Sequence, residues 1–220
     1  MSRAGLFVTF EGPEGSGKTT QIQLLGAWLR ERAYDVLSTR EPGGTRISNV
    51  IRDLVLDPAN VEMQPEAEFL LFSAARAQLV AEIIRPHLLA GGVVLCDRYA
   101  DSSLAYQGYG RGLSLASLCQ ITAFATGDLV PDLTVYLDLP TDDGLRRKQD
   151  GDAGEWNRME REQRAFHERV RAGYLALAAA EPARWLVLDA RQSVDDVAGQ
   201  IRELVAARLG LPVSTRNSKG

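Results

Sequence analysis

Apolar residues follow two rhythms along the chain. Short runs at residues 6–10, 36–39, 93–96, 133–139 and 185–188 are apolar and β-prone, which predicts strands. Between them apolar positions recur at helical spacing. Ile22, Leu25 and Leu29 mark a helix over 18–33, and further helices are predicted over 47–56, 65–89, 113–126 and 194–209. Turn residues separate the segments: Glu41-Pro42-Gly43-Gly44, Asp57-Pro58 and Gly91-Gly92, with Gly127 as a helix stop. Pro65 suits a helix start, whereas Pro86 should kink or end its helix early.

Strands that stay apolar instead of alternating indicate a parallel sheet covered on both faces. The reading is one α/β domain over residues 1–210, with five strands and helices on both faces, and a polar tail over 211–220. No repeat or linker divides it. Ligands of such a sheet lie at the carboxyl ends of the strands. Glu11 to Lys18, Arg40-Glu41, Asp97-Arg98 and Asp138 all fall there.

Composition narrows the classes. The 220 residues are 45% hydrophobic and 25% charged, which excludes a disordered chain. Lys plus Arg number 25 against 29 Asp plus Glu, giving −4, so a generic nucleic-acid or membrane-surface binder is disfavoured. No apolar run approaches the roughly 18 residues of a spanning helix. The leader before the first strand is too short for a signal peptide, so a cytoplasmic protein is expected. Cys96 and Cys119 have no metal spacing and read as buried free thiols. His87 and His167 read as helix-face residues without ligand companions.

The first chemistry follows strand one. Gly12-Pro13-Glu14-Gly15-Ser16-Gly17-Lys18-Thr19 fits G-x-x-x-x-G-K-[ST] between a strand and a helix. Glycines let backbone N–H groups converge on phosphate oxygens, and the helix presents its positive end to the same anion. Lys18 reaches the β- and γ-phosphates, and the Thr19 hydroxyl binds Mg²⁺. Gly12, Gly15, Ser16, Gly17, Lys18, Thr19 and Thr20 are the candidate ATP contacts. Asp97 ends the apolar run 93–96 and is the second candidate ligand for Mg²⁺, although an Asp there also suits a helix cap.

Further motifs sharpen the picture. Phe10-Glu11-Gly12, Thr39-Arg40-Glu41-Pro42-Gly43-Gly44-Thr45, Phe72-Ser73-Ala74-Ala75-Arg76, Asp97-Arg98-Tyr99 with Ser102-Ser103 and Ala105-Tyr106-Gln107-Gly108, and Pro131-Asp132-Leu133-Thr134 stand in order over residues 5–210. In them the chain resembles the thymidylate kinases. The resemblance implies a phosphate-loop, nucleoside-monophosphate-kinase-like three-layer fold with a five-stranded parallel core. It implies transfer of the ATP γ-phosphate to dTMP with Mg²⁺, in a homodimer. Phe72 then stacks on the thymine and Arg76 bonds its carbonyl edge. Ser103 contacts the base, Tyr106 and Gln107 line the deoxyribose, and Glu14 holds the 3′-hydroxyl. The resemblance also suggests a cis Glu41–Pro42 bond.

The residues themselves agree with that chemistry. An ionised acceptor phosphate needs no general base, only cations that offset the repulsion between two anions. Arg98 and Arg52 are the candidate acceptor clamp. On spacing alone Arg52 fits an exposed helix face equally well. Phe72 and Arg76, one turn apart, also fit a core aromatic and a solvated cation.

A charged stretch of eight basic and eight acidic residues over 142–171 sits where nucleotide kinases carry a lid, here at about 141–160. The phosphate loop has no extra basic residue, so the lid should supply the arginine for the transition state. The acidic Gln149-Asp150-Gly151-Asp152-Ala153-Gly154 departs from the arginine-rich pattern of the family. Arg147 is the first candidate and Arg158 the second. Two other functions fit the phosphate loop. A kinase for a neutral nucleoside would use a base such as Glu11. A GTP-dependent switch would want an N-K-x-D sequence, which the chain lacks. The apolar face of the helix after Pro65 exceeds what one sheet can cover, which also predicts a two-fold dimer.

Overall fold

The computed structural model describes residues 5–150 and 157–211. Strands β1 (Leu6–Glu11), β2 (Val36–Arg40), β3 (Val93–Asp97), β4 (Leu133–Asp138) and β5 (Trp185–Asp189) pair in the order β2-β3-β1-β4-β5, parallel throughout. The doubly covered sheet read from the sequence is present. On one face Val8, Phe10, Leu95 and Val135 meet helices α1 (Lys18–Arg30) and α9 (Val194–Arg208) through Leu25, Leu29, Ile201 and Val205. On the other, Phe7, Val94 and Cys96 pack against Leu79, Val80 and Ile84. The central strands β1, β3 and β4 are buried almost end to end. The edge strand β2 is half-exposed because it has one neighbour.

The register gathers the chemistry at one rim. Phe10 on β1 aligns with Asp97, and Asp97 aligns with Arg40 on β2. Asp138 aligns with Asp189 on the other side. Helices α2 (Arg46–Leu56) and α3 (Pro65–Leu79) follow β2. Thr45 caps α2, its hydroxyl accepting from Ser48 N at 3.1 Å.

Four local expectations change. The helix after Pro65 does run to Leu89, but it passes through a π turn, Val80–Ile84, into α4 (Arg85–Leu89). Arg85 N donates to Val80 O, five residues back. The wider turn makes room for Pro86, whose ring would collide with the carbonyl four residues earlier in an α-helix. Residues 100–110, read as motif alone, form α5 (Ala100–Ser103) and a second π turn, Leu104–Gly110. Helix α6 (Leu115–Thr126) starts two residues later than expected, because Ser114 caps it by accepting from Ser117 N. Cys96 is buried and its thiol donates to Arg98 O, but Cys119 is exposed. On α6 the core contact is Leu118, and the next residue points about 100° away from it.

The charged stretch becomes α7 (Thr141–Asp150), a turn from Asn157, and α8 (Arg164–Ala180). Of the acidic stretch 149–154 expected in a lid, Gln149 and Asp150 end α7, whereas residues 151–156, the tail from Pro212 and the leader 1–4 lie outside the described residues.

Candidate active site

The phosphate loop runs between β1 and α1. Gly12, Gly15 and Gly17 have φ of 142°, 74° and 93°, all in the region that favours glycine. At Gly12 a Cβ would also lie 2.6 Å from Leu137 O. Gly17 precedes helix α1 and gives it no side-chain cap, and the first turn of the helix has no acidic residue. Its N–H groups and positive end are therefore left for an anion. Ser16 Oγ is buried without a hydrogen-bond partner among the described residues. Lys18 is buried too, and its ammonium donates to Gly12 O and Pro13 O at 3.0 Å each. Burial and the nearby Arg98 lower its pKa.

A cavity opens beside the loop, between α2, α3, the 98–107 segment and α8. Glu14, Arg52, Phe72, Arg76, Arg98, Ser103, Tyr106 and Gln107 all line it. Arg76 is 2% exposed, so it is not the solvated cation that spacing alone allowed. Its Nε donates to Glu41 Oε2 at 2.7 Å, and its Nη2 donates to Tyr99 O and Ser103 Oγ. Its Nη1 is buried and has no partner among the described residues. Burial pushes the Glu41 carboxyl up to about 7 against the pull of Arg76. The Glu41–Pro42 bond is cis.

Arg98 takes a positive φ of 68°, rare for a side chain of this size. Its N–H donates to Phe10 O at 2.9 Å, and its guanidinium lies 5.1 Å from the centre of the Tyr106 ring. Burial would lower its pKa, but Tyr106, Glu14, Tyr174 and Asp97 raise it, so it stays charged. Arg52 donates to Pro42 O at 2.9 Å, and burial and Arg40 lower its pKa. Arg52 and Arg98 thus bring two guanidiniums to the cavity beside that of Arg76.

A model of the family described as thymidylate kinase matches residues 10–201. The chain is 58% identical to a thymidylate kinase of Roseiflexus castenholzii over 211 residues, covering 91% of this chain and 92% of that one. It is 56% identical to one of Deinococcus radiodurans, covering 93% and 98%.

The chain belongs to the thymidylate kinase family.

A crystal structure of the Ehrlichia chaffeensis thymidylate kinase superposes with a TM-score of 0.75 at 32% identity, covering 92% of this chain and 99% of that one. The reaction of the thymidylate kinases, phosphoryl transfer from ATP to dTMP, is therefore this chain's reaction.

The two lid arginines separate. Arg147, on α7, reaches the donor loop: its Nη1 donates to Gly15 O at 3.3 Å and to Ala190 O at 3.1 Å. Arg158 is buried and engaged with α2 and α3. Its Nη2 donates to Glu68 Oε2 at 2.6 Å and its Nε to Val55 O at 3.0 Å. His167 lines the cavity from α8, which its helical spacing did not reveal.

Sequence reading placed Glu11 at the rim but did not show that it and Glu68 organise the cavity. Glu11, fully buried, accepts from Tyr99 N at 2.8 Å, Ser102 Oγ at 2.6 Å and Tyr174 OH at 2.8 Å. Burial and Asp101 push its carboxyl up to about 7, against Arg98. Glu68 accepts from Gln107, Arg111 and Arg158. An acid in an apolar strand end was the only available signal for Glu11, and Glu68 gave none beyond an acid near a helix start.

Proposed function

We propose that this chain's residues perform the family's reaction as follows. The dTMP enters the cavity and ATP lies along the phosphate loop. Phe72 stacks on the thymine, and Arg76 donates through Nη1 to the carbonyl edge. Ser103, Tyr106, Gln107 and Glu14 line the remainder of the nucleoside. Arg98 and Arg52 hold the acceptor phosphate, whose oxygen attacks the γ-phosphorus. The bond from that phosphorus to the bridging β-oxygen breaks, and ADP leaves. Lys18, the loop N–H groups and Arg147 offset the negative charge on the donor side.

Thr19 and Asp97 would hold Mg²⁺. Both offer hard oxygens at the rim, and the described residues contain no cluster of three His, Cys, Asp or Glu that could cage a metal. That scarcity fits Mg²⁺, which keeps waters and takes its other oxygens from substrate phosphates. When bound, the ion would neutralise charge on the ATP phosphates.

One observation carries the acceptor assignment. Arg76 and Phe72 line one cavity, and Arg76 Nη1 is a buried cationic donor without a partner among the described residues. A group so placed is costly unless a ligand oxygen meets it. Thymine offers O4 there, and cytosine offers an amine, itself a donor. The nucleoside-kinase alternative loses support because Glu11, the base it would use, is fully buried, held by Tyr99, Ser102 and Tyr174, and not among the residues that line the cavity. Calorimetry tests the assignment: dTMP binds and dCMP binds at least tenfold more weakly. Equal affinities would overturn it.

We also propose a homodimer and a cytoplasmic location. Ile47, Val50 and Leu54 expose one face of α2, and Leu70 and Phe124 expose apolar surface on α3 and α6. The three helices lie side by side. A second copy would cover these exposed apolar residues. The substrates and the free thiols fit a reducing compartment. Among the described residues no helix is long and apolar enough to cross a membrane. Sedimentation as a monomer at micromolar concentration would remove the dimer.

A further inference from the structure

Glu68 lies on α3 one turn before Phe72 and is fully buried. Gln107 Nε2 donates to its Oε1 at 2.8 Å. Arg111 donates through Nε at 3.3 Å and Nη2 at 3.0 Å, and Arg158 Nη2 donates at 2.6 Å. Burial alone would raise the pKa of this carboxyl, but the bonds from Arg111 and Gln107 bring it below the usual range. Glu68 is therefore ionised, and an ionised carboxylate only accepts. Gln107 must turn its amide NH₂ toward Glu68. The opposite end of that amide, the carbonyl Oε1, is what remains for the cavity that Gln107 lines.

The same carboxylate secures the opposite wall. Arg158 N donates to Leu56 O at 3.1 Å, and Arg111 bridges from Glu68 to Glu162. These bonds fix the segment from Asn157 against the end of α2.

We propose that Glu68 is a positioning residue for acceptor selectivity. It locks the Gln107 amide so that the carbonyl oxygen meets a hydrogen-bond donor of the bound nucleotide. The inference rests on the dTMP reading above. A dTMP molecule carries two donors in reach of such an acceptor, the base N3–H and the 3′-hydroxyl.

Glu68→Gln is nearly isosteric, yet a glutamine both donates and accepts, so the Gln107 amide is no longer locked. Dissociation constants for dTMP, N3-methyl-dTMP and 3′-deoxy-dTMP are measured by calorimetry on wild type, Glu68→Gln, Gln107→Leu and the double variant. Each single variant weakens dTMP by about tenfold, the double variant adds little, and ATP affinity stays within twofold. The analogue that lacks the relevant donor binds all four proteins alike, which identifies that donor. A Glu68→Gln affinity for dTMP within twofold of wild type overturns the inference. So does an equal loss for dTMP and both analogues, the pattern of a merely structural role. Should Glu68→Gln not fold, Glu68→Asp withdraws the carboxylate by one methylene and is read against the same outcomes. Wild type that binds no dTMP would defeat the functional reading first. Wild type that binds dTMP, beside an unaffected variant, defeats only the Glu68 inference.

Discussion

Arg98 Nη2 lies 2.7 Å from Glu14 Oε1. One residue follows β3 and the other sits inside the phosphate loop, so this pair ties the end of β3 to that loop. Arg98 is held from several directions at once, by Glu14, by the Tyr174 hydroxyl and by its own backbone bond to Phe10. A planar fork suits that position, and a lysine offers only a point charge. Arg98→Lys should lower kcat/KM for dTMP by about tenfold or more, because a bidentate charge-assisted contact to phosphate is lost. Steady-state kinetics at saturating ATP checks it, and a value within twofold of wild type would contradict the clamp.

The phosphate-loop glycines should fail in different ways. At Gly12 a new Cβ meets the Leu137 carbonyl at 2.6 Å, and at Gly17 it meets nothing within 4 Å. Gly12→Ala should lower the melting temperature as well as activity. Gly17→Ala carries only the strain of its φ, about 1–2 kcal/mol, but places a methyl where phosphate should lie. It should melt within a few degrees of wild type and bind ATP weakly. Thermal melts with and without ATP separate the two.

The lid arginines should divide the same way. Arg147→Ala should reduce kcat by about 10³-fold with the fold unchanged, the cost of removing an arginine that stabilises the transferring group. Loss of only a few-fold would exclude Arg147 from that role. Arg158→Ala should act through stability. It strips a donor from buried Glu68 at a cost of about 1–3 kcal/mol, read as a fall of several degrees in Tm.

Buried Glu11 predicts a pH dependence. Its folded pKa of about 7 lies above the usual carboxylate value of 4.5. The folded state thus binds the proton more tightly than the unfolded state. The stability from this group is complete below about pH 4.5 and is lost as pH rises through about 7. Asp101, Arg98, Ser102 and Tyr174 face it. Urea unfolding of wild type and Glu11→Gln at pH 5 and pH 8 should show the wild type losing ground to the variant as pH rises. The opposite sign would contradict the burial argument.

The sheet was legible because its central strands are apolar runs that end in chemistry. Glu11, Asp97 and Asp138 mark the rim in the sequence itself. The phosphate loop was legible because a tight anion cradle demands glycine at fixed positions. The two π turns were not, since a single widened turn leaves no period to detect. Residues 100–110 hid for a related reason: polar and small side chains give that helix no apolar stripe. Arg76 shows the limit most directly. Its spacing from Phe72 named the face, but only the fold brings Glu41 and Ser103 to it. Arg158 likewise looked like a lid cation until Glu68, ninety residues away, was seen to hold it.

The acceptor panel tests the central claim most directly. Purified protein with ATP and Mg²⁺ is given dTMP, dUMP, dCMP, dGMP, AMP and thymidine in turn, and ADP release is measured. Strong preference for dTMP, with no turnover of thymidine, is the predicted result. Turnover of thymidine but not of dTMP would contradict it, because Arg98 and Arg52 would then have no acceptor phosphate to hold.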